Sequence, residues 1–330
     1  MKNLVSNFES QILEALQIGK EFDAKDIAKK YNEIVLSGLG GSGIGGSIVA
    51  DYCYNILSIP FIINKSYFIP KFVSSNTLFI ACSYSGNTEE TLQAVKLAKT
   101  KKATIVCITS GGELEIYARK NKLPLIQIPS GMPPRACLGY SLVQILYVFK
   151  KAGILNTNFE KELNDGLDLI KKEKKNIEKT AKNIAQKLLN RNIAIYAIDG
   201  NEGLSIRFRQ QLNENSKVLA WHNVVPEMTH NEIVGWKKPH EEIVALFCYH
   251  HSDYEKNIRR IKFLKKTINQ YNKNSVELII QGNSFWEKAI YFIHITDWIS
   301  VYLADLNGND AVEVKVIDGL KKEMAKNNLV

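Results

Sequence analysis

A short hydroxyl-rich run, SYSGNT, occupies residues 83–88, between an apolar, strand-like segment and a helical pattern. A strand that turns into a helix leaves unpaired N–H groups at the helix N-terminus, where they favour an anion. The hydroxyls of Ser83, Ser85 and Thr88 can donate further hydrogen bonds. Gly86 lets the backbone approach a ligand closely. The run therefore predicts a phosphate site, although ordinary N-capping of a helix by Thr88 would explain the same residues.

A second run of small residues, GLGGSGIGG, occupies 38–46 and contains the spacing G-x-G-x-x-G. A dinucleotide site with this spacing needs an acidic residue about 20 positions on, at the end of the next strand. The next strand, predicted at 61–64, ends without an acid, which disfavours an NAD-dependent dehydrogenase. We favour a second wall around a small ligand, built by the backbone near Gly41 and the hydroxyl of Ser42. A tight turn that packs a helix against a strand would need the same small residues.

Two polar runs in the second half of the chain, at 207–217 and 226–236, contain Glu214 and His230. A glutamate and a histidine are a natural pair for reactions of a sugar, since one moves a carbon-bound proton and the other opens the ring. Arg135 follows two prolines at the start of a predicted helix, where its charge can stabilise a developing enediolate or a phosphate. Each of these side chains, taken singly, would also fit a solvated surface position.

Strand-like and helical segments alternate along the chain, which predicts an α/β fold with mainly parallel sheets. The predicted strands lie at 33–37, 61–64, 78–82, 104–109, 125–128, 193–198, 217–221, 243–249 and 276–281. The predicted helices lie at 44–56, 88–100, 112–121, 135–151, 203–215, 227–235, 253–270, 285–305 and 312–325. The charged stretch 156–192 has apolar residues at helical spacing and almost no Gly or Pro, so we predict a connecting helix or pair of helices there. We expect a first domain at 1–155 and a second at 156–330, without an internal repeat in the sequence.

The composition is that of an ordinary globular protein, with 45% hydrophobic and 23% charged residues among 330. The formal net charge of +9 fits an anionic substrate or a lysine-rich surface, and no basic motif interleaved with aromatic residues indicates a nucleic-acid binder. No apolar run approaches the roughly 18 residues of a membrane span, and the N-terminus lacks a signal-peptide pattern. Five separated cysteines, none in a C-x-x-C pair, argue against disulfides and a zinc site and fit a reducing cytoplasm.

Five runs recur along the chain in an order typical of one family: GLGGSGIGG at 38–46, SYSGNT at 83–88, SGMPPR at 130–135, NENSK at 213–217 and PEMTHNE at 226–232. Together they resemble the bifunctional phosphoglucose/phosphomannose isomerases, which contain two sugar-isomerase (SIS) domains. The resemblance covers nearly the whole chain. Its first two motifs are shared by many SIS proteins, whereas the runs with Arg135, Glu214 and His230 are specific to this subfamily.

The resemblance implies two SIS domains of flavodoxin-like build, each a three-layer αβα arrangement with a mainly parallel sheet. It implies a homodimer with active sites near the subunit interface. It also implies that glucose 6-phosphate and fructose 6-phosphate, and mannose 6-phosphate as well, interconvert through a cis-enediol(ate) without a metal or another cofactor. An alternative is a non-catalytic SIS protein that binds a sugar phosphate and regulates a partner. Such a protein needs the phosphate loop but not Arg135, Glu214 and His230 together.

The resemblance also implies roles for individual residues. Glu214 would move the proton between C1 and C2, and Arg135 would stabilise the intermediate. His230, supplied by the partner subunit, would assist ring opening, and Lys321 in the run DGLK is the second candidate for that step. The residues implied to hold the phosphate are Gly41, Ser42, Ser83, Ser85 and Thr88.

One position departs from the family pattern. The family associates mannose-phosphate activity with a threonine about two helical turns before the C-terminal lysine. At 3.6 residues per turn, this spacing points to Val314, or to Val312 under a shifted alignment. A valine there makes the glucose-phosphate half of the activity the more firmly implied one.

Overall fold

A computed structural model of the protein describes residues 1–23, 27–272 and 274–326. The strands are β1 (Glu33–Ser37), β2 (Phe61–Asn64), β3 (Thr77–Cys82), β4 (Thr104–Thr109), β5 (Leu125–Gln127), β6 (Asn192–Ile198), β7 (Ala220–Val225), β8 (Ile243–Tyr249) and β9 (Ser275–Ile279). The α-helices are α1 (Lys2–Ser6), α2 (Phe8–Glu21), α3 (Gly40–Cys53), α4 (Glu89–Thr100), α5 (Gly112–Lys120), α6 (Leu138–Lys151), α7 (Phe159–Lys172), α8 (Lys174–Leu188), α9 (Glu202–Gln211), α10 (Glu255–Tyr271), α11 (Phe285–Leu306) and α12 (Lys315–Lys326). Three 3₁₀ turns lie at Pro134–Ala136, Glu227–His230 and Glu232–Lys237, and a π-helical turn lies at Leu212–Ser216. Within these described ranges, no helix is long and apolar enough to cross a membrane.

The first sheet has five strands in the order β2-β1-β3-β4-β5, and each neighbouring pair is parallel. All six residues of β3 are buried, as expected for a central parallel strand covered by helices on both faces. The chain adds β2 on one side of β1 and the later strands on the other. The crevice between the carboxyl ends of β1 and β3 is therefore the topological switch point, where open α/β sheets bind ligands.

The second sheet has four strands in the order β7-β6-β8-β9 and is also parallel throughout. This order repeats the order β2-β1-β3-β4 of the first sheet, although the sequence shows no internal repeat. A buried parallel strand requires apolar side chains but no particular ones, so the structural repeat leaves little trace in the sequence. The predicted α/β fold with parallel sheets is confirmed.

One hydrophobic core joins the two sheets. It contains Leu36 and Ile80 from the first sheet, Ile195 and Leu246 from the second, and residues of α2, α3, α6, α9 and α11 between them. Smaller cores cover the outer faces, where α4 and α5 pack on the first sheet and α10 packs on the second. The two three-layer units therefore share their central layer of helices.

The charged stretch 156–192 forms the helix pair α7 and α8, which packs along α11. Each helix buries an apolar face, with Leu163 and Leu167 on α7 and Ile177 and Ile184 on α8. The pair is therefore part of the shared core and not a separate connector.

Several predicted elements differ from the structure. The predicted elements do not include α1 and α2. The predicted helix at 227–235 is wrong, because Asn231, with φ −147° and ψ −69°, separates two 3₁₀ turns there. The strand predicted at 217–221 begins only at Ala220, because Lys217 has a left-handed φ of 55°.

Two differences concern the start of a helix near the site. The glycine-rich run does not precede its helix as a loop, since α3 begins within it at Gly40. Arg135 does not open a helix, because it lies in the 3₁₀ turn Pro134–Ala136 and α6 begins at Leu138.

Candidate active site

Two helix N-termini meet at the switch point of the first sheet. Helix α3 follows β1, and α4 follows β3 through the loop 83–88. The backbone N–H of Tyr84 donates a 2.9 Å hydrogen bond to the hydroxyl of Ser42, which ties this loop to the first turn of α3. The unpaired N–H groups of both helices therefore face one crevice, an arrangement that favours a phosphate.

The hydroxyl groups of the loop lie in different environments. Ser83 is fully buried, and its hydroxyl lies 2.9 Å from that of Thr88, the N-cap residue of α4. Ser85 is exposed and accepts a hydrogen bond from the backbone N–H of Asn87. The side chain of Thr88 makes no capping hydrogen bond to α4, so simple capping does not account for it. Ser85 and the half-buried Thr88 are open to a ligand, whereas Ser83 supports the loop from beneath.

Gly86 is required by the backbone of the loop. Its φ is +70°, and a Cβ atom at this position would lie 1.8 Å from the carbonyl oxygen of Gly111. The side chain of Asn87 ties the loop to the first turn of α5, since its oxygen accepts a 3.0 Å hydrogen bond from the backbone N–H of Glu113. These contacts hold the loop in one conformation before a ligand binds.

Gly41 connects the crevice between α3 and α4 to the second half of the candidate site. A Cβ atom at Gly41 would lie 2.7 Å from the carbonyl oxygen of Pro134, so no larger residue fits between these segments. The first turn of α3 therefore touches the turn that carries Arg135. Gly41, Ser42, Tyr84 and Pro134 line one small gap between the loops.

Arg135 is 5% exposed, and its guanidinium is held by the second half of the chain. Nε donates to Oδ1 of Asn215 at 2.7 Å, and Nη1 lies 3.4 Å from Oε2 of Glu214. Nη2 donates to the backbone carbonyls of Ala311 and Val312 at 2.6 and 2.9 Å. Burial lowers the pKa of Arg135, and the nearby charge of Glu214 raises it. The structure thus brings the predicted Arg135 and Glu214 together.

Glu214 lies in the π-helical turn that ends α9. Within that turn, Asn215 and Ser216 are buried and bond to Ser300 of α11, through 2.9 Å and 2.6 Å hydrogen bonds. Glu214 is left partly exposed beside them, with 29% of its side chain accessible. Single π-helical turns are frequent at functional sites, because the inserted residue changes which side chains face inward.

A buried group of three side chains supports the turn that carries Arg135, and we call it the platform: Arg207, Gln211 and Asp297. The sequence motifs did not indicate this group. Arg207 donates from Nη2 to the backbone carbonyl of Arg135 at 2.9 Å, and its Nη1 pairs with Oδ1 of Asp297 at 2.9 Å. Gln211 donates to the same carboxylate at 2.7 Å. Asp297 is the one acid of the apolar run 289–304 within α11, and this isolation is the signal that could have identified it.

The structure does not bond the other two predicted catalytic residues to this pair. His230 ends the 3₁₀ turn Glu227–His230 and is exposed, and Lys321 is exposed on α12. None of the hydrogen bonds or ion pairs between described residues joins either side chain to Arg135 or Glu214. In the same parts of the chain, no three His, Cys, Asp or Glu side chains form a group that could hold a metal ion.

Two protein families match separate parts of the chain. Residues 27–130 match the SIS domain family. Residues 177–324 match the family described as the bacterial phospho-glucose isomerase C-terminal SIS domain. The first match contains the crevice between the N-termini of α3 and α4, and the second contains Glu214 and His230.

Individual relatives match over nearly the full length. A bifunctional phosphoglucose/phosphomannose isomerase of Caldicellulosiruptor bescii is 38% identical, over 98% of this chain and 98% of the relative. A protein of the same name from Aquifex aeolicus is 33% identical, over 93% and 95%. The solved C-terminal domain of glucosamine-fructose-6-phosphate aminotransferase from Francisella tularensis has the same fold, with a TM-score of 0.76 at 14% identity over 94% of this chain and 97% of that one. The chain therefore belongs to the bifunctional phosphoglucose/phosphomannose isomerase family.

Proposed function

We propose that the protein interconverts glucose 6-phosphate, fructose 6-phosphate and mannose 6-phosphate by aldose–ketose isomerisation. The observation that carries this proposal is the contact between Arg135 and Glu214. The turn of Arg135 touches the first turn of α3 where Pro134 meets Gly41, so the pair lies beside the proposed phosphate site. A phosphate bound at the switch point would place a sugar chain across this contact. Positioning of this kind supplies a large share of the rate enhancement of many enzymes.

The phosphate is bound, in this proposal, by the N-termini of α3 and α4. Their N–H groups and helix dipoles attract the anion, and no lysine is needed. The hydroxyl of Ser42 still has its hydrogen to donate, because it accepts from Tyr84. The residues that form this site are Gly41, Ser42, Ser85 and Thr88, with Ser83 supporting Thr88.

Glu214 is the base that moves the proton between C1 and C2 through a cis-enediol(ate). It is the more exposed member of the pair and so can meet a ligand. Arg135 has five N–H hydrogens. The hydrogen on Nε is donated to Asn215, and the two on Nη2 are donated to two backbone carbonyls. Its positive charge and a hydrogen on Nη1 stay available for the negative oxygen of the intermediate.

The homodimer is part of the proposal, with His230 contributed to the site of the partner subunit. His230 is exposed and takes part in none of the hydrogen bonds or ion pairs between described residues, which fits such a role. Helix α12 exposes Val316, Ile317, Leu320 and Met324, an apolar row at helical spacing that a second copy could cover. Lys321 lies on this helix and is the second candidate for ring opening.

The proposal includes no metal and no other cofactor, because proton transfer by a carboxylate beside a fixed cation needs neither. It places the protein in the cytoplasm. All five cysteines are free and buried, which suits a reducing compartment.

The decisive experiment compares wild type with Glu214→Gln in a metal-free coupled assay of glucose 6-phosphate isomerisation. We expect turnover to fall at least about 10²-fold, the lower end for removal of a positioned acid–base group. Glu241→Gln, a change at an exposed glutamate of the second sheet's unit, should keep wild-type turnover. Near wild-type turnover of Glu214→Gln would refute the proposal. Sugar-phosphate binding without isomerisation by the wild type would favour the regulatory alternative.

A further inference from the structure

We propose that Glu232 is a positioning residue for ring opening, because its carboxylate fixes the loop that carries His230. This inference rests on the proposed function, in which His230 assists ring opening. It concerns the segment 227–237, where two 3₁₀ turns follow the edge strand β7.

Both carboxylate oxygens of Glu232 accept hydrogen bonds from the second sheet. Oε1 accepts from the hydroxyl of Tyr196 at 2.6 Å and from the indole N–H of Trp221 at 2.8 Å. Oε2 accepts from the side-chain amide of Asn223 at 2.8 Å. Tyr196 lies on β6, and the other two donors lie on its parallel neighbour β7. The side chain of Glu has an acceptor oxygen at both positions, whereas the amide of Gln has an acceptor at only one, so three donors at once select Glu over Gln.

The same tyrosine fastens the far end of the segment. Tyr196 is fully buried, and its hydroxyl accepts a 2.9 Å hydrogen bond from the indole N–H of Trp236. Trp236 lies in the 3₁₀ turn that Glu232 begins. One buried hydroxyl thus holds two points of the turn, and chains of hydrogen bonds of this kind strengthen one another.

The residue that follows His230 is held by side-chain hydrogen bonds, whereas the ring of His230 is not. The side-chain oxygen of Asn231 accepts from the backbone N–H of Glu232 at 2.6 Å, and its amide donates to Glu227 at 2.8 Å. The ring of His230 takes part in none of the hydrogen bonds between described residues. Its position is therefore set by the backbone of the loop, and Glu232 provides three side-chain bonds from that loop to the sheet.

The test separates ring opening from isomerisation. Exchange between the α and β anomers of glucose 6-phosphate, followed by NMR exchange spectroscopy, requires ring opening but no proton transfer between C1 and C2. Glu232→Gln keeps the size of the side chain but places an N–H donor against Asn223 or Trp221. We expect enzyme-catalysed anomer exchange to fall about 10- to 100-fold, the loss that a small misplacement of a catalytic group produces.

A double variant shows whether the effect passes through His230. We expect His230→Ala to lose anomer exchange to at least the same degree as Glu232→Gln. The combined variant should lose no more than His230→Ala alone, because residues that act as a unit are not additive. Glu241→Gln is the matched control and should exchange anomers at the wild-type rate.

The outcomes distinguish this inference from the proposed function. Glu214→Gln should stop isomerisation and leave anomer exchange unchanged. Isomerisation by Glu214→Gln therefore tests the proposed function, whereas anomer exchange by Glu232→Gln tests this inference. If Glu232→Gln does not fold, Trp221→Phe removes one donor at a partly exposed position and should still lower anomer exchange several-fold at an unchanged thermal midpoint. Wild-type anomer exchange in folded Glu232→Gln or in Trp221→Phe, or in His230→Ala, would overturn the inference, as would an additive loss in the double variant.

Discussion

Nη1 of Arg135 lies 3.4 Å from Oε2 of Glu214, although 79 residues separate the two in the chain. Their exposures differ, since 5% of the arginine side chain and 29% of the glutamate side chain are accessible. The guanidinium is therefore a fixed, buried charge, and the carboxylate is the group that can meet a ligand. A base placed beside a fixed cation suits a reaction in which a negative oxygen develops next to the carbon that loses a proton.

Arg135→Lys keeps the positive charge but loses the planar fork of donors. An ammonium group cannot reach Asn215, Glu214 and the carbonyls of Ala311 and Val312 at once. We expect kcat to fall about 10²-fold or more, as when a positioned charge-stabilising donor is removed. We also expect the free energy of unfolding to fall by about 1–3 kcal/mol, because buried carbonyls lose their donors. Steady-state isomerisation and urea unfolding measure the two effects.

The matched control is Arg119→Lys, on the exposed side of α5. Its ion pair with Glu115 is at the surface, so we expect kcat to be unchanged and stability to change by no more than about 0.5 kcal/mol. A wild-type kcat in folded Arg135→Lys would show that charge alone suffices at this position.

Periodicity predicts some parts of this fold closely. Strand β4 is predicted at 104–109 and lies at Thr104–Thr109, because a parallel strand buried on both faces is a continuous apolar run. Segment 227–235 is mispredicted as a helix, because its conformation depends on side-chain bonds from Glu232 to strands earlier in the chain. Local periodicity contains no information about such distant partners.

The residues of the candidate site also divide into those that the sequence predicts and those that it does not. Motifs and resemblance predict Arg135 and Glu214, which have unusual local sequence around them. The platform residue Arg207 is missed, because its importance comes from a bond to the carbonyl of Arg135, 72 residues away. The π-helical turn at Leu212–Ser216 is missed for a related reason, since Ser300 of α11 holds it in place.

Asp51 gives a prediction for the dependence of stability on pH. It lies on α3, and its carboxylate accepts a 2.7 Å hydrogen bond from the backbone N–H of Gly203, in the first turn of α9. Burial raises the pKa of Asp51 from 3.8 to about 6, while the bond from Gly203 lowers it and the charge of Glu202 raises it further. Between about pH 4 and 6, the folded protein keeps a proton that the unfolded chain releases. The contribution of Asp51 to the free energy of unfolding therefore falls as the pH rises through this window and is constant above it.

Asp51→Asn keeps an oxygen that accepts from Gly203 and cannot ionise. We expect its free energy of unfolding to exceed that of wild type by roughly 1–3 kcal/mol at pH 7, with the difference shrinking towards pH 4. Urea unfolding at several pH values measures this slope. Asp168→Asn, at an exposed position on α7, should show no such trend. A difference between Asp51→Asn and wild type that does not vary with pH would contradict the assignment.

The choice between glucose and mannose phosphate is tested at the segment that precedes α12. The carbonyl of Val312 accepts from Nη2 of Arg135 at 2.9 Å, and the carbonyl of Val314 accepts from the first turn of α12. Val312 therefore contacts the arginine that would stabilise the intermediate, and Val314 lies two residues further along the same segment. We expect a threonine hydroxyl at one of these positions to add a hydrogen bond to the mannose-phosphate reaction. At about 0.5–1.5 kcal/mol per bond, the ratio of kcat/KM for mannose 6-phosphate to that for glucose 6-phosphate should rise about 2- to 10-fold.

Val312→Thr and Val314→Thr, measured with both substrates on the same preparation, decide which position acts. A ratio of two rate constants is insensitive to the amount of active protein, so a change in the stability of α12 through a new N-cap at 314 does not mimic the effect. Ile116→Thr, at a residue 58% exposed on α5, controls for a new surface hydroxyl outside this segment. Should neither 312 nor 314 change the ratio, the discrimination at C2 must come from residues that contact the sugar from elsewhere. The loop of His230 would then be the next region to test, because ring opening precedes the step at which the two sugars converge on one enediolate.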